Sequence, residues 1–244
     1  MYRSPRPVRA LAWGAPLAYT TPMEPGLLPL PLSASLFAFL IAVILFLLFF
    51  ELVTISFTKL GIPRWLTIVI FAASLVGSVL NIPVYREQVT TGESGFFQSR
   101  HVIYRRPPVT PEEKIIAVNV GGAVIPVAVS IYLMQHAPLR RTVLATGAMT
   151  GLTYFLAQPV SGVGIEIPVF VPPIAAAVLA VVLTGHWRGA APLAYISGVL
   201  GTLIGADLLH LGDVGGAAGQ VLSIGGAGVF DGVFLVGVVA AFLA

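Results

Sequence analysis

The segment Ser223-Ile224-Gly225-Gly226-Ala227-Gly228-Val229-Phe230-Asp231-Gly232 sets one carboxylate among glycines in an otherwise apolar stretch. Asp231 stands about seven residues into that stretch, or about 10 Å along a helix rising 1.5 Å per residue. A charge at such depth in hydrocarbon costs at least a few kcal/mol, so an ionisable group there is expected to serve a function. Gly225, Gly226 and Gly228 let the backbone unwind and present carbonyls and amides beside the acid, as in the interrupted helices of transporters. The chemistry that fits is cation binding. Against it stands an ordinary helix start near Asp231, its acid satisfying free first-turn amides. That alternative leaves about fourteen residues to Ala244, short of the roughly 20 that a bilayer requires.

Asp207 offers a second carboxylate. Two acids on consecutive segments can share a proton and activate water, the chemistry of an aspartyl protease. Gly205-Ala206-Asp207 only approximates the Gly-x-Gly-Asp element of intramembrane enzymes of that kind. On a helical wheel Gly198, Gly201 and Gly205 fall within about 60° of one another, a close-packing stripe. Asp207 falls about 180° from Gly198, so an acid reaching interfacial water explains it equally well. Asp207 and His210, at i and i+3, share a face and would suit a metal; a terminal histidine in water is the plainer account.

Asn119-Val120-Gly121-Gly122-Ala123 resembles Ser223-Ile224-Gly225-Gly226-Ala227 and follows the same side of the bilayer. The two motifs read either as halves of one site from a parallel repeat or as small residues that allow tight packing. Asn81, Gln158, Glu166 and Asp213 gather at that same side, while Glu51 lies near the other. In a cation pathway Asp231 is the central ligand, with Asp207, Asn119 and Asn81 as outer oxygens. Glu166 and Glu51 read as interfacial.

The elements that carry these groups follow from composition. Of 244 residues, 57% are hydrophobic and 9% charged, with a mean hydropathy of +0.95. A soluble domain carries roughly 25% charged residues, so hydrocarbon must face most of this surface. The expected fold is all-α: a polytopic transmembrane helical bundle of about seven spans, some interrupted by Gly or Pro. The candidate spans are 32–53, 65–84, 115–134, 142–158, 168–185, 190–210 and 224–244. Residues 1–31, rich in proline and bearing Arg3, Arg6 and Arg9, read as a mobile arm before a transmembrane domain over 32–244. Met23 is an alternative start, and a signal peptide fits poorly because residues 10–20 hold no long apolar run. The one long polar loop is 85–114. Within it Val102-Ile103-Tyr104 suggests a small hairpin, and Thr110-Pro111-Glu112-Glu113 reads as a helix start.

Several chemistries are excluded. Without cysteine there is no disulfide, thiolate metal site or cysteine nucleophile. Walker loops, His-Glu-x-x-His helices and Gly-x-Ser-x-Gly elbows are absent, so no cofactor is expected and a non-enzyme is favoured. The net charge of +3 comes from basic residues scattered in loops, which suits orientation in a bilayer better than nucleic acid. Short loops on one side carry Lys59, Arg64, Arg140, Arg141 and Arg188, whereas those on the other, after residue 114, have no Lys or Arg. The positive-inside rule then puts the N-terminus outside the cell (inner) membrane; Arg3, Arg6, Arg9 and the basic residues of 85–114 count against it.

Asn81-Ile82-Pro83, Asn119 to Ala123, Gly162-Val163-Gly164-Ile165, Tyr195-Ile196-Ser197-Gly198, Gly205-Ala206-Asp207-Leu208-Leu209 and Ser223 to Gly232 resemble an uncharacterised prokaryotic membrane family, domain of unknown function 1614. The resemblance runs from about Leu32 to the C-terminus and implies a multi-span membrane protein without a set activity. Three functions compete: a cation-coupled or cation-conducting protein, an assembly or lipid-binding protein that self-associates through its glycine stripe, and an aspartyl protease using Asp207 and Asp231.

Overall fold

The computed structural model describes residues 32–89, 96–99, 102–105, 112–160, 164–187, 189–212, 221–226 and 232–244. The arm over 1–31, Asp213, Gly228 and Asp231 lie outside the described residues. By contacts the chain forms two compact units, Met1–Leu45 and Phe46–Ala244.

In the first unit the described part is the opening of α1 (Leu32–Lys59), a helix of 28 residues. Its side chains stand almost bare: Leu36, Phe37, Phe39 and Leu40 are all more than half exposed. A helix apolar all round is stable only if something apolar surrounds it.

In the second unit α1 runs on past Glu51 to Lys59, whose ammonium donates to the Phe242 carbonyl at 2.6 Å. There follow α2 (Arg64–Gly77), α3 (Ile125–Met134), α4 (Leu139–Leu156), α5 (Val171–Thr184), α6 (Ala191–Thr202) and α7 (Gly232–Leu243). The helix α6 is the core, touching α3, α4, α5 and α7, with Tyr195, Ile196 and Val199 fully buried. Its glycines explain the close approach: Gly198 faces Val236 and Ala176, Gly201 faces Met149, and Gly205 faces Thr150 and Thr153. The Thr153 hydroxyl reaches the Gly201 carbonyl at 2.9 Å. The expected glycine stripe is therefore consumed inside the protein.

Each of the seven expected segments holds one helix, and the described chain is mostly helical. Two helical stretches, Ala34–Lys59 and Ala191–Leu208, are long and apolar enough to cross a membrane by themselves. Among the described residues three small sheets accompany the dominant helices. In the first, β4 (Glu112–Asn119) lies between β1 (Asn81–Val89), antiparallel, and β7 (Val221–Ile224), parallel. The hairpin expected at Val102-Ile103-Tyr104 is present, pairing β2 (Phe96–Ser99) with β3 (Val102–Arg105). A third pairs β5 (Gln158–Val160) with β6 (Gly164–Glu166).

The helix start expected at Thr110 to Glu113 is wrong: Glu112 opens a strand. The β-branched Ile115, Ile116 and Val118 resist helix, and strands on both sides satisfy the β4 backbone, so pairing overrides a local capping signal. The third expected span is helical only beyond Asn119, and Asn81, expected to end a helix, begins β1.

Candidate functional site

Both Gly-Gly motifs lie at strand ends, and the sheet brings those ends together. In the parallel pair, Ala117 stands beside Ser223 and Val118 beside Ile224. After β4 the chain enters a π-helical turn, Val120–Val124, before α3. Asn119, fully buried, fastens this turn. Its Oδ1 accepts the Gly122 amide at 2.8 Å, and its Nδ2 donates to the Ser78 carbonyl at 2.7 Å and to Asn81 Oδ1 at 3.1 Å. The Ser223 hydroxyl, 2.7 Å from the same Asn81 oxygen, also neighbours the Gly226 carbonyl. One clasp thus joins the end of α2, the starts of β1 and the π turn, and the end of β7.

The oxygens of Asn119 and Asn81 are occupied by protein donors. They hold the break together. Asn119→Leu keeps the volume but strips partners from a buried amide and a buried carbonyl. We expect a loss of about 3 kcal/mol, read as a lowered melting temperature in detergent.

Beyond β7, Gly225 and Gly226 have φ of 86° and 90°, a conformation that side chains rarely adopt. A Cβ on Gly225 would lie 2.6 Å from the Ala123 Cβ, so the second Gly-Gly motif packs directly against the first. Gly122, Gly121 and Ala123 are buried at this contact.

Asp207 arrives from α6. That helix loosens into a π segment, Leu203–Leu208, marked by the Leu209 amide bonding the Ile204 carbonyl. A π turn advances the chain differently from 100° per residue, so the wheel that put Asp207 opposite Gly198 fails beyond Thr202. The half-buried Asp207 reaches the glycine turn, where its Oδ2 accepts the Gly225 amide at 2.7 Å.

His210, also buried, places Nδ1 3.0 Å from the Gly205 carbonyl and 3.1 Å from that of Ala206. Facing two acceptors, Nδ1 must carry a proton. The ring stacks on Tyr154 at 4.7 Å. His210 is therefore packed inside, not a terminal histidine in water, and among the described residues no group of three metal-ligating side chains forms. Glu166 and Glu51 are exposed.

Sequence reasoning missed a different set. The hydroxyls of Ser74, Thr146, Tyr195 and Thr202 are buried without a hydrogen-bond partner among the described residues. Tyr195 and Thr202 stand seven residues apart, on one face of α6. Their spacing was legible, but nothing in the sequence says that their partners are missing.

The family described as "Protein of unknown function (DUF1614)" matches residues 75–243, so the likeness begins at the end of α2 rather than at Leu32. No curated protein and no solved structure matches the chain.

Proposed function

The chain belongs to the family of unknown function DUF1614, and from that premise we propose a multi-pass integral membrane protein that moves or couples a cation through carboxylates at its helix breaks. The bilayer placement is supported by the outer surface. Phe155 is 84% exposed, Val79 77%, Phe170 75%, Val182 69% and Trp65 66%. In water, apolar exposure spread over so many helices would drive aggregation; in lipid it is the expected exterior. Exposed Lys59, Arg64, Arg140 and Arg141 at the helix ends favour that side as cytoplasmic, with the N-terminus outside.

One observation carries the functional reading. The most buried described helix bears two hydroxyls, Tyr195 and Thr202, without a partner among the described residues, and its π-helical end delivers Asp207 to a glycine turn. A buried hydroxyl without a partner costs about 1–3 kcal/mol, so its persistence favours a role with water or a passing cation. A carboxylate beside an interrupted backbone is the matching end point, with Asp231 as the second acid. The protease alternative has less support, since one Asp207 oxygen already holds an amide.

The test is flux. Purified protein in liposomes, under an imposed membrane potential, is expected to dissipate a gradient of H⁺, Na⁺ or K⁺ faster than empty vesicles. Vesicles that stay tight to all three would end this reading.

A further inference from the structure

A cleft of about 330 Å³ opens among the end of β6, the start of α5 and α7. Ile167, Val169, Pro172, Leu235 and Val236 give it apolar walls, and among the described residues Glu166 is its one carboxylate. That volume lies at the small end of ligand sites. Gln158 stands directly opposite Glu166 across the β5–β6 pair, so an amide accompanies the acid. Beside the cleft, Val169 and Phe170 are 59% and 75% exposed, which gives it a greasy rim.

Charge decides the head of the occupant. From Thr142 to Ala244 the acids are Glu166, Asp207, Asp213 and Asp231, against Arg188 as the sole Lys or Arg. This stretch supplies Glu166 with almost no cation of its own, so a partner that bears an ammonium complements it. Shape decides the rest: apolar walls require an apolar body. We propose that the cleft seats one chain of phosphatidylethanolamine, with the primary ammonium of its headgroup on Glu166. An ammonium brings a positive charge and three N–H donors to a carboxylate; a glycerol headgroup offers hydroxyl donors but no cation, and its phosphate repels the acid. The inference rests on the bilayer placement argued above but not on cation flux.

Native mass spectrometry of the full chain, purified in detergent and exposed to equal phosphatidylethanolamine and phosphatidylglycerol, tests it. We expect the ethanolamine lipid to be retained about fivefold over the glycerol lipid, the scale of an interfacial ion pair. Glu166→Gln should bring the two near parity, and Leu235→Trp should reduce retention of both by filling the cleft. Should Leu235→Trp lower the melting temperature, Val169→Trp at the exposed rim replaces it. Equal retention of both lipids by the wild type, or retention unchanged in Glu166→Gln and in the tryptophan variant, overturns the proposal. Because the readout is bound lipid, a protein without flux can still pass, and a conducting protein can still fail.

Discussion

Asp207→Asn will fold like the wild type and lose cation flux, whereas Asp207→Leu will lose stability as well. The asymmetry comes from the Gly225 amide, which Asp207 Oδ2 accepts at 2.7 Å. Asparagine keeps an oxygen for that bond and removes only the charge. Leucine leaves the amide without its acceptor, at about 1–3 kcal/mol. Flux in the asparagine variant should fall to that of empty vesicles, because a neutral amide cannot compensate a cation in hydrocarbon as a carboxylate does. Asp231→Asn should behave in the same way. Melting temperatures of the three variants, measured beside ion-sensitive dye traces, separate the outcomes. An asparagine variant that conducts normally would reduce Asp207 to a clasp for the glycine turn.

Among the described glycines, Gly121→Ala should be one of the most damaging single methyls. A Cβ there would run into the Ser74 carbonyl and sit 2.5 Å from the Ser78 nitrogen. Those are backbone atoms of the end of α2 and cannot rotate aside. Gly77 faces Gly121 from the other side, its own Cβ position 2.9 Å from the Gly121 nitrogen. Relief would require the π turn to leave α2, breaking the Asn119 to Ser78 hydrogen bond. Overpacking of this kind costs about 3 kcal/mol or more where the neighbours cannot move. We expect little monodisperse protein in detergent. Gly147→Ala is the control: nothing lies within 4 Å of its Cβ position on α4, and alanine favours helix by up to about 1 kcal/mol. Comparable yields for the two variants would refute the close contact.

The contrast shows where the sequence was legible. Apolar run length located one helix in each of seven segments, because hydropathy is additive along the chain. The alternation in Val102-Ile103-Tyr104 marked its hairpin, and the likeness of the two Gly-Gly motifs preceded their meeting at the β4–β7 pair. The departures have physical causes. The strand at Glu112–Asn119 depends on β7, which no local window contains. The path of Asp207 depends on a change of helical pitch after Thr202, while a wheel assumes constant pitch. Asn119 reads as a ligand because it is polar in an apolar context; the structure adds that it satisfies the backbone of the break that Gly121 and Gly122 create.

The parallel pairing of Ile115 with Val221 also dictates an order of assembly. A ribosome delivers the N-terminal half first, so β4 can zip against β1 early, through a nearby hairpin. Its opposite edge must wait until α3, α4, α5 and α6 have been synthesised before β7 arrives. During that interval the open edge invites strands from other nascent chains, and closing so long a loop is slow. The last strand acts as a latch on biogenesis, fastened only when nearly the whole polypeptide has emerged.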